Sequence, residues 1–453
     1  MNLKKDLVRV GTANSLILIS GVINAFVVPK ILNINDYANY KTYLLYISYL
    51  GLFHFGFVDG IHVYFGGRGK LSTDKIEEYR SFFFFFLSFQ ILVLSILFST
   101  SIFIESDKII RLTILSIIPV NVNSFLQFFY QSIGDFRRYS KVLIITPIIF
   151  IITVVFFYNN LSLNALLLLY IVSSGATLFY GIAQDPYLNY KSVSSVSRII
   201  NSFLSIKHKI LPRFKTGFIF LLGNLIFILF FDLGRVYTKL FKSAGEFAYY
   251  SFAVTLMTLF VVIVNSLNKT LYPYLFKITK SQLDILFKYL TYFGCLGMLS
   301  FYLIDYIVNQ YLTEYIPSLG LTGILFSTIP GAILIKSVYH NKYRIEQLEK
   351  EFLIDSIKFL IMAGIITLIF SYFFLLEIID IGLICTAVIY MWTLFPNKKL
   401  KVKTEISSVK WVLFLNVLGF LVVHLSPLNT GAKLLLSTTI VLTLILLKEK
   451  FHK

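Results

Sequence analysis

Apolar runs of eighteen or more residues recur along this chain from end to end, and the longest connection between them covers only residues 184–214. Each such run is long enough to cross the ~30 Å hydrocarbon core of a bilayer as an α-helix. Hydrocarbon offers no hydrogen-bond partner to an exposed backbone, so a chain built of these runs is restricted to bundled helices. Composition agrees: of 453 residues, 57% are hydrophobic and 14% charged, against about 25% charged in soluble domains. The expected fold class is therefore an all-α polytopic membrane protein.

Hydropathy places fourteen helices, at about 12–32, 40–65, 81–104, 109–131, 141–158, 161–183, 215–240, 246–276, 285–307, 317–340, 352–374, 377–396, 409–426 and 430–447. The loop charges test that count independently. With the N-terminus inside, the inner segments, taken to Lys141 and Lys410 at the adjoining helix edges, hold 28 Lys and Arg; the outer loops hold Lys108, Lys242 and Lys433. A span missed in mid-chain would put every later loop on the wrong side and erase the bias. Both termini are thus expected in the cytoplasm, and the net charge of +18 reads as loop anchoring rather than nucleic-acid binding. Lys4, Lys5 and Arg9 ahead of the first apolar run mimic a signal peptide, but no small-residue cleavage site follows, so the run is expected to stay as the first span. Cys295 and Cys385 lie in apolar helices without metal or redox spacing and are expected to be buried small hydrophobes.

Within the long inner connection, Val193, Val196, Ile199, Ile200, Phe203 and Leu204 recur at helical spacing beside Arg198, Lys207 and Lys209. This predicts an amphipathic helix leading into the seventh span, lying either on lipid or on the protein's own inner face. The outer loops after spans one and seven look alike at an offset of 210 residues. Asp36 matches Glu246, Tyr37 matches Phe247, Ala38 matches Ala248, Tyr40 matches Tyr250, and Asn14 falls on Asn224. Both copies run the same way, which predicts a parallel repeat of two six-helix lobes, an arrangement found among secondary transporters. The expected domains are an N-terminal lobe at 1–183, a linker at 184–214, a C-terminal lobe at 215–396, and two extra helices within 397–453.

The charges inside the spans are the candidate functional groups, because each is costly in hydrocarbon. Asp232, Arg235 and Lys239 fall at i, i+3 and i+7 of the seventh span, within about 60° of one another. Lys269 is placed on the inner part of the eighth span. Lys30, Lys41 and Arg111 lie near outer ends of spans, Lys288 and Lys336 near inner ends. End-of-span cations can reach the headgroups, so a snorkelling reading stands beside the binding one for these and for Lys239. Asp232 with Arg235 also reads as an ion pair serving folding alone. The second span carries His54, Asp59 and His62, with Asp59 and His62 predicted on one face; an acid beside a histidine suits a proton or cation coupling site, and equally a structural hydrogen bond. Asn123, Gln127 and Gln131 form an amide stripe suited to sugar hydroxyls or to holding helices together. The Phe82–Phe86 run reads as anchoring or core. No metal-ligand spacing, nucleophile motif or nucleotide loop is present, and neither metal nor cofactor is expected.

The pattern of a span, then acid–aromatic–small–x–Tyr, then a second span resembles the polysaccharide flippases of the MOP superfamily. HFGFVDGIHVYFGG (His54–Gly67) resembles that family's second span, QFFYQSIGDFRRYS (Gln127–Ser140) the end of its fourth, and Pro273 in TLYPYLF its eighth-span proline. Asp232 matches a frequent family aspartate. Two departures stand out: Ala38 and Ala248 replace a common glycine, and the arginine that often follows the aspartate directly is here Arg235. The resemblance implies two lobes about a central cavity, alternating access, and transport of undecaprenyl-diphosphate-linked repeat units of O-antigen, lipopolysaccharide or capsule across a bacterial inner membrane. It further implies a lipid-linked oligosaccharide substrate, contact with membrane lipids, H+ or Na+ as counter-ion, and contact with polymerase and chain-length machinery. A peptidoglycan-precursor flippase shares these features. A cation-drug exporter of the MATE type would favour acids, whereas basic residues within spans outnumber acids ten to about four. A membrane polymerase or glycosyltransferase would be expected to carry a large outer loop, and no enzymatic activity is expected.

Overall fold

The computed structural model describes residues 3–66, 71–188, 196–275, 280–339, 343, 348–395 and 404–450. Among these, seven helices are long and apolar enough to cross a bilayer: α1 (Val8–Ile31), α3 (Thr73–Phe103), α4 (Lys108–Ser132), α5 (Phe136–Phe156), α6 (Leu163–Ala183), α9 (Lys288–Tyr311) and α11 (Lys350–Phe373). Three more pass as bent pairs: α2 (Ile34–His54 with Phe57–Phe65), α7 (Ile206–Ile226 with Ile228–Phe241) and α10 (Thr313–Ser327 with Ile329–Tyr339). Shorter apolar helices form α12 (Ile378–Leu394), α13 (Trp411–Leu425) and α14 (Thr430–Leu446). With α8 (Ala244–Leu275), the series matches the fourteen expected helices one for one.

The chain forms two compact units, one of residues 1–24 and 31–225 and one of residues 25–30 and 226–453. The 210-residue repeat has a local physical cause. Asn33 caps α2: its side chain accepts from the Asp36 N–H at 2.9 Å and donates to the Asp36 carboxylate. Ser243 and Glu246 do the same for α8, with Glu246 accepting from both the backbone and the hydroxyl of Ser243. The repeated acid is thus the third helical residue of a reciprocal cap. Behind it Tyr37 and Phe247, Ala38 and Ala248, and Tyr40 and Tyr250 are all buried.

A second repeat accompanies the first. Ser116–Ile117–Ile118–Pro119 in α4 and Ser327–Thr328–Ile329–Pro330 in α10 share a Ser-x-Ile-Pro pattern, and at each the helix is interrupted, at Ser116 and at Thr328. Proline removes an N–H from the ladder. A hydroxyl beside each break bonds a carbonyl of the preceding turn, Ser116 to Leu112 at 3.0 Å and Thr328 to Leu325 at 2.6 Å. Side-chain bonds of this kind are how a broken helix is tolerated where water is absent.

The first unit has an aromatic core. Phe57, Phe65, Tyr79, Phe82, Phe83, Phe86, Phe125 and Phe129 are buried together, with the Tyr79 and Phe129 rings stacked at 3.7 Å between centroids. Phe82–Phe86 therefore belongs to the core. Beyond the inner end of α6, Asp185 is buried and accepts from the Tyr79 hydroxyl at 2.6 Å and the Tyr187 N–H at 2.7 Å.

Helical structure continues from Val196 through the bend of α7 to Phe241, so no loop separates the expected linker from the span. Val193 and the side chains of Val196, Ile199, Ile200, Phe203 and Leu204 lie outside the described residues. Over 206–217 the helix packs on the first unit. Ile206, Ile210 and Phe214 join the aromatic core, Lys209 pairs with Glu78 at 2.6 Å, and the Arg213 guanidinium sits 4.0 Å above the Tyr64 ring. Backbones touch at glycines: a Cβ on Gly217 would lie 1.8 Å from the Gly56 carbonyl oxygen, and one on Gly60 would lie 2.1 Å from that of Arg213. The described part of this helix, 206–217, makes protein contact.

In the second unit α13 and α14 pack against α9 and α10. The His424 ring occupies the space above Gly323, with Nε2 2.9 Å from the Gly320 carbonyl, and the Tyr302 and Ser437 hydroxyls bond at 2.6 Å.

Two outcomes follow. Gly217→Leu is expected to lower stability by about 1–3 kcal/mol, since the atoms it strikes are backbone; thermal unfolding of the purified protein in detergent checks this. Burial, opposed by the Tyr79, Tyr187, Tyr130 and Arg138 donors and charge, raises the Asp185 pKa. The folded chain then holds a proton that the unfolded chain loses above about pH 3.9, so stability falls as pH rises from there through the raised native value. Asp185→Asn is expected to flatten that slope in melts recorded across pH.

Candidate functional site

The charged stripe of α7 is realised in the second unit as a compact group. Asp232 Oδ1 accepts from Arg235 Nη1 at 3.0 Å, and the two side chains are only 10% and 13% exposed. The pairing follows from helical spacing, since residues three apart share a face. A third charge joins from α10. Lys336 lies in the π-helical turn Leu334–Tyr339, its ammonium 5.4 Å from the centroid of the Phe231 ring, where the Asp232 carboxylate attracts it. A π-turn adds a residue to the helical repeat and recurs at functional sites. Lys336 is half-buried here, beside the aromatic ring next to Asp232 in sequence.

Gly234 shapes the floor of this group. A Cβ there would come within 1.9 Å of the Tyr250 hydroxyl oxygen, so glycine lets α8 bring Tyr250 beside the pair. The Tyr250 hydroxyl and the Gly234 backbone both bond the Cys385 thiol of α12. Four helices thus converge on Asp232 and Arg235.

The other predicted residues disperse. Lys239 is half-buried, 5.5 Å above the Phe247 ring, and Lys30 is exposed beside Tyr311 at 5.8 Å. Lys269 falls on α8 with its side chain outside the described residues. Lys41 is 1% exposed, against the faces of Tyr37 at 5.0 Å and Tyr40 at 5.6 Å; burial of this depth corrects its snorkelling reading. Asn123 donates to the Ser174 carbonyl of α6 at 2.8 Å, which joins two helices, while Gln127 is half-buried on the same helix. Neighbouring Asn121 bonds Gln90, which donates to Phe53.

In α2 a histidine, His54, is brought to Asp59. Phe55 and Gly56 both take left-handed conformations, φ 49° and 81°, and the helix bends there by 62°. Asp59 and His62 both lie beyond the bend, in Phe57–Phe65, and keep their three-residue spacing on one helix, while His54 lies before it. The His54 ring turns back toward Asp59, Nε2 to Oδ2 3.9 Å, while His62 packs on Phe128, 5.3 Å between ring centroids. His54 Nδ1 also accepts the Gly56 N–H at 3.1 Å, a bond only an unprotonated Nδ1 can make. Nitrogen-15 NMR of labelled protein at neutral pH is expected to find His54 as the neutral Nε2–H tautomer.

Lys336 was a candidate in the sequence; what spacing within one helix could not give was its place beside the α7 pair. Its signal was the unpaired arithmetic of α7: a buried acid with one cation beside it invites a second partner at similar depth.

No described protein family matches the chain, and no curated protein matches it. Among solved structures, "Lipid II flippase MurJ, inward closed conformation" aligns over 98% of both chains at 14% identity, with a TM-score of 0.64. The eukaryotic MATE transporter AtDTX14 aligns over 97% of this chain and 99% of its own at 12% identity, with a TM-score of 0.43. At such identity the first likeness is one of architecture: the chain has the fold of the lipid II flippase MurJ.

Proposed function

We propose that this chain is a flippase carrying undecaprenyl-diphosphate-linked oligosaccharide repeat units from the cytoplasmic to the outer face of a bacterial inner membrane by alternating access. The observation that carries the reading is the group of Arg235, Lys336 and Asp232, two cations and one acid on neighbouring helices of the second unit. Cations held in a polyprenyl-lipid transporter have an evident ligand, the diphosphate that joins tail to sugar. A guanidinium grips such an oxyanion by paired N–H donors, and an ammonium adds a point charge. The MurJ-like fold supports transport rather than catalysis. Both termini are placed in the cytoplasm by the loop charges, the first and second units supply the two lobes, and α13 and α14 are additions to the second. Asp59 with His54 is the site assigned to a coupling H+ or Na+. Polymerase and chain-length machinery would receive the product at the outer face.

A lipid II flippase is the second reading, favoured by the fold likeness to MurJ. Its substrate bears the same diphosphate, so the group in the second unit serves either.

Complementation separates them. Expression in strains lacking a repeat-unit flippase is expected to restore surface glycan, and Arg235→Ala or Lys336→Ala to reduce it about ten-fold or more, as for loss of a buried charge contact. Rescue of a strain depleted of its lipid II flippase, without glycan rescue, would transfer the assignment to the second reading. Restoration of neither phenotype across several glycan backgrounds overturns the proposal.

A further inference from the structure

Asp232 is the odd member of a site meant for anions. It bonds Arg235 at 3.0 Å and attracts Lys336, so the very cations that would bind a phosphate already face a carboxylate. Folding does not demand the trio. At the 210-residue offset the counterparts of Asp232 and Arg235 are Val22 and Ala25, and at the 211-residue offset of the Ser-x-Ile-Pro repeat the counterpart of Lys336 is Phe125, buried in an aromatic core. The repeat is therefore built at these positions without charge. Buried ion pairs are commonly replaceable by apolar groups at no loss of stability.

We propose that Asp232 is a built-in competitor for the substrate's anionic group. With the site empty, its carboxylate holds Arg235 and Lys336 and leaves the group one positive charge. An entering diphosphate displaces it, since two phosphates engage the guanidinium and the ammonium together; a monophosphate, with less charge and one phosphate, competes poorly. The acid thereby selects for the diphosphate and, by returning to its cations, promotes release. Differential affinity set by an internal repulsive element is a general route to specificity. This inference rests on the anion-site reading above and assigns the regulation of that site.

The test uses the full chain in lipid nanodiscs, titrated with undecaprenyl diphosphate and undecaprenyl phosphate. Asp232→Asn is expected to tighten both by about ten-fold, the monophosphate gaining more, while Arg235→Gln and Lys336→Gln weaken the diphosphate by a similar factor. Should Asp232→Asn alone not fold, Lys336→Gln is compared with Asp232→Asn/Lys336→Gln, whose site keeps a single positive charge; removing the acid is expected to tighten binding there too. Unchanged or weaker binding on removal of Asp232, with weakening by the two cation variants, overturns the competitor and leaves the anion site standing. Unchanged binding in Arg235→Gln and Lys336→Gln overturns the anion site, and the competitor falls with it.

Discussion

Hydrocarbon supplies neither hydrogen bonds nor counter-charge, and every feature of this molecule answers to that shortage. It confines the backbone to helices and fixes their length. Where a helix is interrupted, a side chain must stand in, as the Ser116 and Thr328 hydroxyls do for carbonyls near their prolines. Where a charge is buried, a partner must come from nearby: Arg235 for Asp232, Asp232 for Lys336, the faces of Tyr37 and Tyr40 for Lys41. Regular helix needs no such arrangement, so breaks and charges mark the places where packing has been made specific.

Close backbone approach serves the same end. Gly56, Gly60 and Gly217 let α2 and α7 meet without side chains between them, as small residues do when lipid offers no hydrophobic drive to association. Around that contact, Lys209 with Glu78 and Arg213 with Tyr64 fasten the polar half of α7 to the first unit. Gly234 plays a like part in the second unit by admitting Tyr250. Glycine placement thus decides which polar side chains meet.

Periodic properties were legible in the sequence; departures from period were not. Fourteen apolar runs gave fourteen helices, and Asp36 with Glu246 marked a repeat whose capping role the structure explains. The Asp232–Arg235 pair followed from spacing within one unbroken helix. That His54 reaches Asp59 could not be read, because the left-handed pair at Phe55 and Gly56, which turns it inward, leaves no mark in hydropathy. Lys336 was named only as an end-of-span cation; its place beside Phe231 could not be read, because contacts between helices distant in sequence are invisible to any single-helix pattern. The protein-facing side of 206–217 needed three-dimensional partners, Glu78 and Tyr64, to be recognised.

The two copies of the repeat have also diverged in charge. Where one copy sets Asp232, Arg235 and Lys336, the other has Val22, Ala25 and Phe125. Apolar positions tolerate exchange among residues of similar volume, whereas a buried, hydrogen-bonded ion pair such as Asp232 with Arg235 does not, because losing one member strands the other. Random substitution should therefore fall unevenly on the chain at these positions, harmlessly on one copy and severely on the other. A duplicated scaffold of this kind can evolve new ligands by altering one half while the other keeps the architecture intact.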